Sequence, residues 1–232
     1  MSEENIIELV NADILQRDHT VLTDINLEIK TGEFVYLIGK VGSGKSSLLK
    51  TLNAELSLEK GEGKVAGYSL SELKARDIPF LRRKLGVVFQ DFRLLSDRNV
   101  YDNLTFVLKA TDWKDEKEID DRVNAVLEMV GMTNKAKSMP HQLSGGEQQR
   151  ISIARAILNN PEIILADEPT GNLDPQTSIE LIQIFKELNE QGKTVVVATH
   201  DYPLIRRFPA RIITVEDQKI YETVIKKKEE PS

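Results

Sequence analysis

The run GKVGSGKS, Gly39 to Ser46, directly follows five apolar residues, Phe34, Val35, Tyr36, Leu37 and Ile38, and that succession leaves few folds open. A short apolar run without polar alternation is a strand buried on both faces, which means a parallel sheet covered by helices. The glycines break the strand, and Leu48 and Leu49 lie in the helix that follows. Strand, glycine loop and helix in that order, with Lys and Ser closing the loop, make a cradle of backbone N–H groups at a helix mouth, where the dipole favours a phosphate. A Cβ would hold the backbone away from phosphate oxygens, so Gly39, Gly42 and Gly44 supply the permissive positions, with Lys40, Val41 and Ser43 between them. Lys45 is spaced to reach the outer phosphates and Ser46 to offer a hydroxyl to Mg²⁺, while Ser47 carries the lining into the helix.

Two further apolar runs repeat the arrangement. Ile163, Ile164, Leu165 and Ala166 end at Asp167 and Glu168, and Thr194 to Ala198 ends at Thr199 and His200. Open α/β sheets place ligands beyond the carboxyl ends of their strands. An acidic pair by itself reads as the start of a solvated loop; after a buried strand, Asp167 suits a Mg²⁺ shell of oxygen ligands, and Glu168 suits the orientation or deprotonation of an attacking water. His200 gains weight from the same placement. His19 and His141 read as ordinary structural residues; three histidines argue against a His-rich metal site, and the lack of cysteine excludes a thiolate one.

Composition narrows the class. With 37 acidic against 31 basic residues the net charge is −6, which argues against broad nucleic-acid binding. No run of 18 apolar residues spans a membrane, and the acidic start Met1 to Asn5 has no secretory character. The chain of 232 residues, 40% of them apolar, suffices for one domain. Apolar residues at helical spacing in Val100 to Leu108, Ile119 to Val130 and Glu147 to Leu158 predict a helical insertion at 91–160 in a core of 1–90 and 161–232. Thr111 to Glu118, with Trp113, reads as an exposed turn, Arg82, Arg83 and Lys84 as a solvated edge, and 226–232 as a solvated tail.

With LSGGEQQR at Leu143 to Arg150 these runs resemble, in family order and over nearly the full length, the nucleotide-binding subunits of ABC transporters. Gly39 to Ser46 is similar to the Walker A loop, Gln90 to the Q-loop, Leu143 to Arg150 to the signature, Ile163 to Glu168 to Walker B, Asn172 to Asp174 to the D-loop and His200 to the switch histidine. The resemblance implies a P-loop NTPase core with a mostly parallel sheet, an N-terminal antiparallel β part and an inserted helical subdomain. It implies ATP and Mg²⁺ as ligands, Lys45, Gln90, Glu168 and His200 as catalytic groups, and Ser46, Gln90 and Asp167 around the metal. It further implies a homodimer closed around ATP, in which Ser144, Gly145 and Gly146 meet the γ-phosphate held by the other copy, with Asp174 of the D-loop also among the nucleotide-binding residues. The family usually stacks adenine on an aromatic residue some way before Walker A; Leu15 falls there, or Ile14, so the base would rest on an aliphatic side chain and base selectivity would be weak.

Pro79 to Leu104 and LADEPTGNLD, Leu165 to Asp174, further resemble the ABC ATPases of bacterial cell division. That likeness implies a peripheral place on the cytoplasmic face of the plasma membrane, held there by an integral membrane partner, and ATP cycles that reshape an extracytoplasmic domain and activate cell-wall hydrolases. Lipoprotein-releasing and macrolide-exporting systems share the GNLD segment and stay open as an alternative; a soluble ABC protein fits less well, since such proteins carry two modules or a long coiled coil. Asp91, Phe92, Leu94 and Leu95 are candidates for the partner contact, burial within the helical part being the other reading.

Overall fold

The computed structural model describes residues 4–17 and 19–223. Two sheets form its frame. An antiparallel sheet in the order β2-β1-β4-β5 is built from β1 (Asn5–Gln16), β2 (His19–Lys30), β4 (Lys60–Val65) and β5 (Tyr68–Ser69). The second sheet has the order β10-β9-β3-β8-β7-β6, from β3 (Phe34–Ile38), β6 (Leu85–Val88), β7 (Ile163–Asp167), β8 (Thr194–Ala198), β9 (Arg211–Glu216) and β10 (Lys219–Thr223). All its pairings are parallel except that of β10 with β9.

The apolar runs are strands because each is buried on both faces, and the period of two sends alternate side chains into two different clusters. Phe34, Tyr36 and Ile38 enter one, with Ile164, Ala166, Val195 and Val197. Val35 and Leu37 enter the other, with Ile163, Leu165, Val196 and Ala198. The second cluster is closed by Leu48, Leu49 and Leu52 of α1 (Lys45–Leu52) and by the antiparallel sheet, whose Ile7, Leu9, Ile25 and Leu27 point inward. The first is covered by helices: α3 (Val100–Ala110), α4 (Glu116–Met129), α5 (Gly145–Ala156) and α6 (Pro175–Glu190). Two short helices, α2 (Ile78–Arg83) and α7 (Tyr202–Arg207), complete the set.

Helix limits follow local chemistry. Asn99 caps α3 by accepting from the Asp102 N–H, Asp115 caps α4, and Ser144 caps α5 in a reciprocal capping box with Glu147. The stretch expected as an exposed turn departs from that expectation: α4 starts within it at Glu116, and Trp113 packs against the helical core with its indole N–H donating to Asn159 Oδ1 at 3.1 Å. The Arg82 to Lys84 edge is likewise tied down, Arg82 donating to the carbonyls of Asn53 and Ala54 and Lys84 pairing with Glu162 at 3.0 Å. The predicted tail, 226–232, lies outside the described residues.

The signature helix is fixed at its far end by α4. Arg122 donates to the carbonyls of Ile157 and Leu158, which would otherwise end the helix unsatisfied. Replacing Arg122 with Met removes both bonds to the carbonyls of buried residues and should cost about 1–3 kcal/mol; urea unfolding checks this, with ATP affinity of the folded protein unchanged.

Candidate active site

Strands β3, β8 and β7 are neighbours, and their parallel register, Leu37 opposite Ala198 and Ala198 opposite Asp167, brings three carboxyl ends together. Backbone bonds stitch the residues just beyond: Thr199 N–H donates to Leu37 at 3.0 Å and Glu168 N–H to Ala198 at 2.9 Å. One edge therefore carries the glycine loop, the acidic pair and His200.

The loop needs its glycines. Gly39, Gly42 and Gly44 have φ of 154°, 81° and 110°, a region side chains rarely adopt. A Cβ on Gly39 would lie 2.3 Å from the Val215 carbonyl oxygen, and one on Gly44 would lie 2.9 Å from Val21. Lys45 is only 6% exposed. Its ammonium donates to the carbonyls of Gly39 at 2.8 Å and Lys40 at 3.2 Å, and stands 3.7 Å from Glu168 Oε1. Val41, by contrast, is 91% exposed at the loop tip.

Glu168 itself has a φ of 45°, a left-handed backbone that costs a non-glycine residue roughly 1–2 kcal/mol. This turn faces its carboxylate both ways, to Lys45 and to His200, whose Nδ1 is 2.9 Å from Oε2. Glu168 is mostly buried whereas His200 is exposed. The triplet can hold phosphate through the lysine and a water proton through the glutamate, with the imidazole steering the carboxylate.

Asp167 sits beside it with one carboxylate oxygen buried and without a partner, as is the hydroxyl of Ser43. Burial pushes the Asp167 carboxyl above its ordinary range and the Glu168 charge adds to this, while the Ser46 hydroxyl and the Lys45 ammonium pull the other way. An orphaned oxygen next to Ser46, in a site a cation would neutralise, fits Mg²⁺. Among the described residues no cluster of three or more His, Cys, Asp or Glu could hold a metal, so the ion would take Ser46, Asp167 and Gln90 with phosphate and water oxygens. Gln90 lies close: a Cβ on Gly171, in the turn after Glu168, would be 3.2 Å from its side-chain nitrogen.

The signature residues are held against the D-loop. Gly145 is close to Leu173 and to the Phe92 ring, and a Cβ on Gly146 would meet Thr177 at 2.5 Å. Asp174 caps α6, accepting from the Thr177 N–H and hydroxyl, which lower its pKa. Leu15 is half-buried on β1 opposite Thr20, and the side chain that reaches the loop helix is its neighbour Gln16, which accepts from Ser47 Oγ at 3.3 Å. Of the four partner-contact candidates, Asp91 and Leu95 are exposed, Leu94 packs on the core and Phe92 is half-buried beside Gly145.

Sequence reading missed Gln16, Gln149 and Arg155. Gln149 is fully buried and donates to the Phe89 carbonyl at 3.3 Å, and Arg155 donates to the carbonyls of Phe92 and Arg93. Polar residues at positions 149, 152 and 155 of a helix with an apolar face were the available signal.

A glycine loop, an acidic pair and a histidine at the carboxyl ends of adjacent strands, with a capped glycine motif at the start of α5, fit an ATP-hydrolysing cassette. The chain belongs to the ABC transporter family, which matches residues 22–171, and is an ATP-binding subunit of that class. It is similar to the cell division ATP-binding protein FtsE of Bacillus subtilis, 46% identical with 84% of this chain and 86% of the relative covered. The FtsE proteins of Streptococcus pneumoniae (42%, 87% of each chain) and Escherichia coli (44%, 86% of this chain and 90% of the relative) are similar too. Among solved structures, the dimeric bacterial ABC transporter cassette MJ0796 superposes with a TM-score of 0.85 at 37% identity, covering 95% of this chain and 99% of that one.

Two outcomes test the site. The raised pKa of Asp167 means that its ionised form opposes folding above the ordinary carboxylate range, and that this penalty fades as pH falls through the raised value. Asp167→Asn should therefore raise Tm at neutral pH by a few degrees, the shift that about 1 kcal/mol gives a chain of this size, with the gain shrinking towards acid pH and Mg²⁺-dependent hydrolysis lost; calorimetry across pH checks the sign. Gly39→Ala should distort the loop against Val215 and weaken ATP binding by about tenfold or more, read by fluorescent nucleotide titration.

Proposed function

We propose that this protein is the ATPase of a bacterial cell-division ABC pair. It binds ATP with Mg²⁺, closes as a homodimer around the nucleotide, and works on an FtsX-like integral membrane partner from the cytoplasmic face of the plasma membrane. The observation that carries the enzymatic part is that Glu168 stands between Lys45, 3.7 Å from one carboxylate oxygen, and His200, 2.9 Å from the other, across the strand ends. The FtsE relatives support the cell-division role.

In this reading the loop N–H groups and Lys45 hold the β- and γ-phosphates and balance their charge. Bound Mg²⁺ supplies Lewis-acid stabilisation of charge on the transferring phosphoryl group. Glu168 orients the attacking water and accepts its proton, His200 keeps the carboxylate aimed, and Gln90 registers the γ-phosphate from the strand beside Walker B. Gly145 and Gly146 present N–H groups at the start of α5 that a single copy's phosphate does not fill, and the Ser144 hydroxyl can donate beside them, its own N–H being taken by Glu147 Oε2 at 2.8 Å, so a second copy's γ-phosphate completes the anion site. ATP then joins two copies and hydrolysis separates them, which turns chemistry into a movement the membrane partner can follow. Residues 1–232 act as one cassette, with 91–160 as the helical subdomain that carries the signature. Leu15 and Gln16 flank the base, and no aromatic ring is available on β1 to stack on it.

Glu168→Gln keeps the shape of the side chain and removes the basic carboxylate. It should abolish turnover and leave a dimer that forms only with ATP, seen by light scattering; a variant that stays monomeric with ATP overturns the sandwich. Leu95, 39% exposed on the Q-loop side, should when changed to Glu weaken copurification with the FtsX-like partner by about tenfold while ATP binding persists.

A further inference from the structure

Gln90 is followed by a turn in which two successive non-glycine residues are left-handed, Phe92 at φ 55° and Arg93 at φ 51°. L side chains disfavour this conformation, and neither residue is the Asn or Asp that tolerates it best. Such a pair persists only where the surroundings hold it.

The turn holds itself in part, the Arg93 N–H donating to the Asp91 carbonyl and the Arg93 guanidinium pairing with Asp91 at 3.2 Å and lying 3.7 Å over the Phe89 ring, and the rest of the surroundings come from one helix. Arg155, on the last turn of α5, donates from one terminal nitrogen to the Phe92 carbonyl at 2.8 Å and from the other to the Arg93 carbonyl. A single planar guanidinium thus closes on the carbonyls of both strained residues. Two turns earlier on the same helix, the buried Gln149 amide donates to the Phe89 carbonyl. Helix α5 therefore grips the chain on both sides of Gln90, at Phe89 and at Phe92–Arg93. Close packing of the helix on β6 leaves this grip little slack: a Cβ on Gly86 would lie 2.6 Å from the Ala156 carbonyl oxygen. The same helix begins at the signature, where Gly145 approaches the Phe92 ring.

We propose that Arg155 is a positioning residue for ATP hydrolysis: it holds the strained Phe92–Arg93 turn, and through it sets Gln90 in register with the signature helix. The residue that reads a cassette's own γ-phosphate and the residues that meet its partner copy's then move as one body. The inference rests on the reading of Gln90 as a γ-phosphate contact. An arginine is required because its fork presents two donors at a fixed angle, which a lysine ammonium does not.

The test compares Gln90→Ala, Arg155→Met, Arg155→Lys, the Gln90→Ala/Arg155→Met double variant and Arg155→Met combined with Arg93→Asn. The readouts are kcat, KM, Mg²⁺-free ATP binding by fluorescence, and melting temperature. Arg155→Met should lose about tenfold or more in kcat while Mg²⁺-free ATP affinity stays within about twofold. Arg155→Lys should stay slow, and the double variant should be no slower than the slower single one. Asn adopts the left-handed backbone readily, so Arg93→Asn should restore about threefold or more of the lost kcat. Additive losses in the double variant, or no recovery with Arg93→Asn, mean that Arg155 acts through packing alone and overturn the proposal. If Arg155→Met does not fold, full activity in Arg155→Lys overturns it and slow turnover by a folded Arg155→Lys upholds it. An unchanged rate in Gln90→Ala instead overturns the underlying reading of Gln90, and the proposal falls with it.

Discussion

A buried ammonium organises the site. Lys45 has almost no contact with solvent, and an isolated charge so placed would cost several kcal/mol. Two carbonyls of its own loop and the carboxylate of Glu168 offset that cost. Because those carbonyls belong to Gly39 and Lys40, the lysine also fixes the curvature of the loop that would wrap phosphate. Because Glu168 comes from a different strand, the same charge ties β7 to the loop after β3. Glu168 holds both contacts from a left-handed backbone, its carboxylate meeting Lys45 on one side and His200 on the other.

The sheet makes this possible by being buried on both sides. Strands β3, β7 and β8 send alternate residues into two clusters, one beneath the antiparallel sheet and α1, the other beneath the helices. Charged groups are absent from the strand interiors and appear at their carboxyl ends, which is why Asp167, Glu168, Thr199 and His200 lie together. Asp167 bears the cost of that position. Its carboxyl is pushed up by burial and carries an unpartnered oxygen, a local instability that a divalent cation would relieve.

The signature helix has a second role that its N-terminal motif does not announce. Its first turn is closed by the Ser144–Glu147 capping box, with Lys135 pairing to Glu147 at 2.9 Å, and its last turn supplies Arg155 to the segment after Gln90. Arg122 secures its carboxyl end from α4. Movement of this helix is thereby coupled to the backbone around Gln90 through hydrogen bonds that do not depend on exposed side chains.

The sequence by itself determined the strands, the loop and the residues at the strand ends. Phe34 to Ile38 and Thr194 to Ala198 form strands with the expected limits, since an unbroken apolar run bounded by Gly, Asp or His has no other stable place, and capping residues such as Asn99 and Ser144 set helix starts by local hydrogen bonding. Only the tertiary structure decided that Lys45 and Glu168 form an ion pair, that Gln16 accepts a bond from Ser47 of the loop helix, that Trp113 is held by Asn159, and that Arg155 spans the Phe92–Arg93 turn. Those contacts join residues far apart in the chain, and periodicity carries no information about which carbonyl a distant guanidinium or ammonium will meet. Left-handed φ at Glu168, Phe92 and Arg93 was illegible for the same reason: local preference opposes it, and packing against other elements overrides that preference.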